Sequence, residues 1–473
     1  MKPTPAGASS DLTTRPTTPS RTRLMTRLSV AAVVVGTALR VAVTLTNDTI
    51  ADELYELVYS RQPVGWIVEW STHVDPHGPL DYLMRHLFVQ DRNVALLRLP
   101  SLLFSVATLI TMAVWMRHRS WFGVLVVWFS ALAPFLVLYG TIARMYSVLI
   151  LAGTLAAVFA ERWSKTGETK WSAYLALVLT LGFLTDNSIG FLAAGAFLVP
   201  GLRRDRAAWL WRGAVVFAGL VFVVLLGPTL KYRLEKPAIF APLTTPESAA
   251  VALNGLVTIF YPYLAWIVVL LLGVGAVALW RNHPTLGRVA GALAGVPFLA
   301  AMILGIRLQL LIPRTLSFGA WVAPVLLAAF VEAAWKRLDA IGGIAAVAVV
   351  LVFMGPSLFQ TFQYREGAQA SLATMATLVK PGDAVAAYPY HIRYLLAWEF
   401  NTDVDAPAYD DPTVKDLYLV RPGDAPPSGR VWVLQDDDLP FDRSGLRPCP
   451  GEEVHELDAY TASCFLTPLR RGS

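Results

Sequence analysis

Asp52 and Glu53 are adjacent acids that follow closely on an apolar run, and a carboxylate at the mouth of a membrane segment can take a proton from a hydroxyl. Adjacent acids are equally at home on a solvated loop. Three arginines sit where a guanidinium is costly unless paired or hydrated. Arg40 lies one to two turns from the end of the first apolar run, Arg144 lies in Tyr139-Gly-Thr-Ile-Ala-Arg-Met-Tyr146, and Arg314 immediately precedes another run. A guanidinium grips phosphate through a two-pronged fork and keeps its charge when buried, so the trio points to an anion at the membrane surface. Snorkelling to the lipid headgroups is the alternative for each. His77, in Asp75-Pro-His-Gly-Pro-Leu-Asp81-Tyr82, reads either as a ligand-binding residue or as the cap of a helix that starts at Gly78-Pro79. Asp436, Asp437 and Asp438 read as a solvated turn, since the twelve-residue calcium-loop pattern is missing. No phosphate-binding loop, dinucleotide fingerprint, zinc spacing or serine elbow is present. A divalent metal could assist, but no ligand cluster requires one.

These residues belong to a membrane scaffold. The chain has 473 residues, 55% hydrophobic and only 15% charged, with a mean hydropathy of +0.51. Soluble domains carry about 25% charged residues. A soluble monomer, a disordered chain, a collagen-like repeat and a coiled coil are all excluded, leaving an all-α polytopic membrane protein. About eleven stretches are long and apolar enough to span: Leu28 to Leu45, Leu96 to Met116, Trp121 to Tyr139, Ala143 to Ala160, Trp171 to Leu184, Ile189 to Leu202, Gly213 to Leu230, Tyr263 to Trp280, Val289 to Ile306, Thr315 to Ala334 and Ile341 to Gln360. Trp171 to Leu202 could also be one broken helix.

Basic residues fix the expected orientation, because Lys and Arg in short loops stay cytoplasmic. The clusters at Arg117 and Arg119, at Arg162 and Lys170, from Arg203 to Arg212, at Arg281 and Arg288, and at Lys336 and Arg337 all fall in alternate connections. A cytoplasmic N-terminus and an extracytoplasmic C-terminus follow. The loop 47–95 then lies outside, with eight acids against three arginines. Within it, Asp52 to Tyr59 and Pro79 to Phe88 have the spacing of interfacial helices. Another outer loop runs from Lys231 to Pro262.

Met1 to Ser20, rich in Thr, Pro and Ser, read as disordered. The expected division is a cytoplasmic tail (1–23), a membrane domain (24–360) and a small soluble α/β domain outside (361–473). In the last, Ala370 to Val379 and Ile392 to Phe400 read as helices, and Ala384 to Tyr388 and Val431 to Leu434 as strands. Cys449 and Cys464, the two cysteines, are either paired in an oxidising compartment or two free thiols. No fixed-period internal repeat is visible.

Several strings in order carry a family resemblance: Leu39-Arg40, Ala51-Asp-Glu-Leu-Tyr55, His77-Gly-Pro-Leu-Asp-Tyr82, Leu97-Arg-Leu-Pro-Ser101, Ala143-Arg-Met-Tyr-Ser147 and Ile312-Pro-Arg-Thr315. Over residues 28 to 335 the chain resembles the C-type membrane glycosyltransferases, in particular the dolichyl-phosphate-mannose protein mannosyltransferases and the aminoarabinose transferases. The resemblance implies transfer of a sugar, mannose first, from a polyprenyl-phosphate carrier to an extracytoplasmic protein, glycan or lipid acceptor, with inversion. Asp52 would be the base with Glu53 in support. Arg40, His77, Tyr82, Arg144, Tyr146 and Arg314 would bind substrate. Three positions depart from the family strings: Gly78 stands for the usual proline, Thr315 for an aromatic, and Asp186 for the histidine that often follows the threonine of Leu184-Thr185.

The partners expected are the carrier-linked donor, the acceptor and the bilayer, with no nucleic acid. The Ala, Arg and Val bias favours a GC-rich bacterium and a decaprenyl or undecaprenyl carrier. The rival class is a transporter or flippase for a polyprenyl-linked substrate, which would place ionisable groups near the bilayer midplane. Membrane-impermeant thiol reagents are expected to label Cys449 and Cys464 from outside intact cells after reduction; labelling only after permeabilisation would reverse the orientation.

Overall fold

The computed structural model describes residues 19–47, 50–73, 75, 77–89, 94–201, 203–235, 246–258, 264–308, 313–362, 368–380, 383–388, 418–420, 430–436, 447–449, 454–457 and 460–466. The expected disordered tail up to residue 18, the helix Ile392 to Phe400 and the acids Asp437 and Asp438 lie outside these residues.

Helices come in the order α1 (Pro19–Thr46), α2 (Ala51–Ser60), α3 (Val64–His73), α4 (Pro79–His86), α5 (Val94–Met116), α6 (Ser120–Leu132), α7 (Pro134–Leu138), α8 (Tyr146–Thr166), α9 (Thr169–Phe183) and α10 (Ile189–Leu198). They continue with α11 (Arg206–Glu235), α12 (Pro246–Gly255), α13 (Ala265–Asn282), α14 (Pro284–Ala290), α15 (Val296–Leu308), α16 (Val322–Thr361) and α17 (Ala368–Leu378). A π turn at Gly291–Gly295 joins α14 to α15, and a 3-10 turn spans Pro313–Gly319. Each of the eleven stretches expected to span carries helix among its described residues, but Trp121 to Tyr139 breaks at Ala133 into α6 and α7, and Ala143 to Ala160 becomes helical only from Tyr146. Seven helical runs are long and apolar enough to cross a membrane, and the longest, Leu316–Thr361, is two spans because backbone angles leave the helix at Leu338 and Asp339. Trp171 to Leu202 is two helices, α9 and α10.

The protein is a polytopic helical membrane protein, and its surface fits that solvent. Ile341 is 83% exposed, Val224 76% and Val352 69%, with similar side chains along α1, α5, α11, α13 and α16. Apolar surface on that scale needs hydrocarbon rather than water around it. The core between the helices holds the bulky rings of Trp163, Trp211 and Trp321 with Phe135 and Phe318.

The two ends of the bundle differ in chemistry. At one end Glu161 of α8 accepts a hydrogen bond from Trp115 at 2.6 Å and pairs with Arg119 and Lys165. Arg203 packs over Trp163 and Arg162 over Trp171, while His283 stacks on Phe122 and pairs with Glu332, which also holds Lys336. Every basic cluster singled out in the sequence therefore lies at or beside this end. At the opposite end lie the start of α2, the connection before α8, the α9–α10 connection and the 3-10 turn at Pro313–Gly319. Asn47, just past α1, donates to the Thr361 carbonyl at the end of α16, which shows that α16 returns to this second end after its break.

Arg40 departs from its expected place at the anion site. It is buried at 1% exposure and directs its guanidinium to Ser105 Oγ (2.7 Å) and to the carbonyls of Gly36 (2.9 Å), Ala131 (3.1 Å) and Ser130 (3.2 Å). The cause is local. Pro134 has no N–H to offer the Ser130 carbonyl, and the extended backbone of Ala133 breaks α6 from α7. Arg40 satisfies the carbonyls that this break leaves in an apolar core.

The small C-terminal module carries six strands: β1 (Ala384–Tyr388), β2 (Tyr418–Val420), β3 (Arg430–Asp436), β4 (Arg447–Pro448), β5 (His455–Glu456) and β6 (Tyr460–Leu466). Their order is β2-β1-β3-β6-β4, with β5 also on β6; β1 and β3 run parallel and the other pairs antiparallel. Trp432, Val385, Leu434 and Ala462 are buried on the sheet, with Met375 of α17. Cys449 and Cys464 are disulfide-bonded.

Replacing Arg40 by Met is expected to leave buried carbonyls unpaired, at about 1–3 kcal/mol for each unsatisfied group. The melting temperature in detergent should fall while helix content by circular dichroism below that temperature is unchanged; an unchanged melting temperature would reject this structural role for Arg40.

Candidate functional site

Glu53 fixes the frame of the site. Its side chain is fully buried in the first turn of α2, where Oε2 accepts the Ile50 N–H (3.2 Å) and the Glu53 N–H donates to the Ile50 carbonyl (3.0 Å). The same carboxylate takes Arg98 of α5 through both prongs, at 2.7 and 2.6 Å, and the Ala143 N–H at 2.7 Å. Arg98 in turn donates to the carbonyls of Thr44 and Asn47 at the end of α1, both at 2.9 Å. One ion pair thus joins α1, α2, α5 and the connection that carries Arg144. Every oxygen of Glu53 is occupied, so it positions Asp52 and Arg144 rather than sharing in proton transfer.

Asp52, its neighbour, faces the other way. Its Oδ2 lies 2.8 Å from Arg314 Nη1 and 3.4 Å from the Tyr146 hydroxyl. The Asp52 and Arg314 side chains are 29% and 33% exposed, the most open ion pair at this end among the described residues. Burial pushes the Asp52 carboxyl up, but the charges of Arg144 and Arg314 and the Tyr146 hydrogen bond hold the group below its ordinary range. Arg314 reaches Asp52 because the 3-10 turn lies hard against α8: a Cβ on Gly153 would sit 1.7 Å from the Phe318 carbonyl oxygen.

Arg144 is almost wholly buried behind this pair. Nη1 donates to Glu56 at 2.9 Å, Nη2 to His77 Nε2 at 3.0 Å, and its guanidinium lies 5.3 Å from the centre of the Tyr55 ring. Burial and then the adjacent Asp81 push the Glu56 carboxyl up, against the pull of Arg144 and Arg85. Arg85 is fully buried, forks onto Asp81 at 3.1 and 3.0 Å and reaches the Leu97 carbonyl at 2.7 Å. Tyr82 lies beneath the site at 1% exposure and donates to Asp75 at 3.0 Å; the Tyr55 hydroxyl also donates to Asp75. Burial, then the Asp75 and Glu56 carboxylates, push its phenol up, so it remains a donor.

His77 closes the network. Its Nδ1 lies 2.6 Å from Asp186 Oδ2, and its backbone N–H donates to Asp75 at 2.8 Å. The backbone sets this pairing: Gly78 N–H donates to the Thr185 carbonyl (3.0 Å) and Leu80 N–H to the Leu184 carbonyl (2.9 Å). A Cβ at Gly78 would lie 2.2 Å from the Leu184 oxygen, so the strand-like approach needs glycine.

The structure therefore brings Asp52, His77, Arg144, Tyr146 and Arg314 together, places Tyr82 behind them, turns Glu53 to the frame and keeps Arg40 apart. The sequence reading missed Glu56, Arg98 and Asp75 as functional, and noted Asp186 only as a departure from the family strings. The spacing of Asp52, Glu53 and Glu56 within one turn of a helix, and of Asp81 and Arg85 four apart, is the signal that would have found the paired acids. Among the described residues no cluster of His, Cys, Asp or Glu is arranged to hold a metal.

No family model matches the sequence, and no curated relative does. Solved structures do. The crystal structure of ArnT from Cupriavidus metallidurans in the apo state aligns with a TM-score of 0.57 at 12% identity, covering 94% of this chain and 98% of that one. The structure of ArnT from the same organism bound to undecaprenyl phosphate aligns with a TM-score of 0.52 at 12% identity and the same coverage. The shared feature at this identity is the fold: nearly the whole chain has the architecture of ArnT.

Proposed function

We propose that this chain is a membrane glycosyltransferase that moves a sugar from a polyprenyl-phosphate carrier to an acceptor hydroxyl outside the cytoplasm. The observation that carries the proposal is the partly exposed pair of Asp52 and Arg314, backed by Arg144 in one cluster at the end opposite the basic loops. A likeness of fold to a protein crystallised with undecaprenyl phosphate and the family strings in the sequence support the same carrier class. The Cys449–Cys464 disulfide, a bond of oxidising compartments, agrees with an extracytoplasmic C-terminal module and a cytoplasmic N-terminus. The division into a tail, a transferase domain and an outer module is part of the same proposal. Mannose is the sugar expected from the sequence, and an aminoarabinose-type pentose is the alternative that the ArnT fold favours.

The mechanism asks little covalent work of the protein. A phosphate-linked sugar already carries its leaving group, so the chain must hold phosphate, orient the acceptor and receive its proton. Arg314 and Arg144 stabilise the charge that grows on the departing phosphate. Asp52 takes the acceptor proton as the oxygen attacks the anomeric carbon from the face opposite the phosphate, which inverts that centre. In the present arrangement Asp52 is a weak base, being tied to Arg314. A phosphate that shares the Arg314 fork loosens this tie and makes Asp52 more basic when the acceptor needs it. Clustering of the ionisable groups at one end, rather than at mid-depth, favours this reading over a transporter.

Asp52→Asn is expected to lower kcat for transfer from a polyprenyl-phosphate sugar by about 10²–10⁴-fold while undecaprenyl phosphate still binds. Retained turnover rejects Asp52 as the base, and carrier movement across vesicles without turnover favours a flippase. Because the folded Asp52 carboxyl is held below its ordinary range, its basic form persists as pH falls through that range. The acid limb of kcat/KM assigned to it should therefore lie below the ordinary Asp value of about 3.9; a limb above that value would argue for another base.

A further inference from the structure

His77 offers each ring nitrogen to a different partner: Nδ1 to Asp186 at 2.6 Å and Nε2 to Arg144 Nη2 at 3.0 Å. A guanidinium N–H only donates, so Nε2 holds a lone pair and the ring proton sits on Nδ1, donated to Asp186. The ring is neutral in this arrangement, since a proton on Nε2 would set two donors face to face. Arg144 has capacity for another ligand. Its Nη1 is held by Glu56, but its Nε, in a side chain 6% exposed, has no acceptor among the described residues.

The geometry points to a proton exchange that accompanies carrier binding: a polyprenyl phosphodiester takes Nη2 of Arg144, and Nε2 of His77 gains a proton and donates it as a hydrogen bond to the phosphate. Asp186 holds the resulting imidazolium from behind. This inference rests on the transfer reading above. On transfer, the bond from the anomeric carbon to the phosphate oxygen breaks and its electron pair stays with the phosphate. The acceptor oxygen bonds to that carbon and its proton passes to Asp52. The leaving phosphate gains a second negative charge, and the His77 imidazolium is the cation that meets it.

The surroundings favour a cation at His77. Facing it are Asp186 from the α9–α10 connection, Asp52 from α2 and Arg144 from the segment before α8, with Asp75 held through its own backbone N–H. Three carboxylates thus surround His77 against two guanidiniums, Arg144 and, beyond Asp52, Arg314, and Arg144 turns to the ligand. Asp186 is shaped as a support. Oδ1 accepts the Ser188 N–H at 2.7 Å, leaving Oδ2 for His77. Burial pushes its carboxyl up, but hydrogen bonds from His77 and Ser188 hold it below the ordinary range and so ionised. Two departures from the family strings, Gly78 and Asp186, meet at this junction. A proline at 78 could not donate to Thr185, and that backbone bond is what brings Asp186 to the ring.

The test is calorimetric titration of the full-length protein in lipid nanodiscs with farnesyl methyl phosphate, a phosphodiester that does not itself titrate near neutral pH. Runs in buffers of different ionisation enthalpy count the protons exchanged. Uptake approaching about one proton per bound diester is expected near pH 7, by linkage between ligand and proton. Asp186→Asn should bind with uptake cut at least fivefold, and Asp186→Glu should restore part of it; a merely structural role would move the affinity of both variants and leave protons per ligand unchanged. Binding by the wild-type protein without uptake, or full uptake by Asp186→Asn, overturns the exchange and leaves the carrier reading standing. No saturable binding of the diester overturns both.

Discussion

The ion pair of Arg98 and Glu53 is the constraint on which the site depends. Two ions removed from water must be matched to each other and to further hydrogen bonds, and here they are, by the Thr44 and Asn47 carbonyls, the Ile50 N–H and the Ala143 N–H. Losing one partner of such a pair costs about 3–5 kcal/mol. That cost makes the geometry discrete. The end of α1, the start of α2 and the backbone next to Arg144 are held at one separation, and Asp52 inherits its direction from the residue beside it.

The same economy of charge governs the neighbouring residues. Arg85 is matched by Asp81, Arg144 by Glu56 and Arg314 by Asp52. An anion entering this cluster meets guanidiniums that already have partners, so binding there is an exchange of partners. Pairs that are buried, such as Arg85 with Asp81, exchange badly; the partly exposed Asp52–Arg314 pair exchanges most easily. Exposure sets Arg314 apart from Arg85 and Arg98, whereas the buried Arg144 differs from those two in keeping an Nε with no acceptor among the described residues.

Much of the fold was legible because hydrocarbon selects for long apolar runs: each of the eleven expected spans carries helix among the described residues, and seven helical runs are long and apolar enough to cross. Strands Ala384–Tyr388 and Arg430–Asp436 were legible as short apolar runs, whereas β6, whose Tyr-Thr-Ala-Ser-Cys-Phe-Leu mixes polar and apolar residues, was not. In the site, Asp52, Arg144 and Arg314 stood out as charges at span ends. Arg40 stood out for the same reason and proved to fill a backbone gap made by Pro134, some ninety residues away in sequence, which no local pattern announces. His77 and Asp186 are 109 residues apart, and only the backbone pairing at Gly78 joins them.

The absence of a side chain at Gly153 has a mechanical consequence. With the 3-10 turn seated directly on α8, Arg314 rides on the same body that carries Tyr146 at its first turn. Transmembrane helices adjust their tilt to the thickness of the surrounding lipid. A tilt of α8 would therefore carry the cation and the phenol together, as one unit.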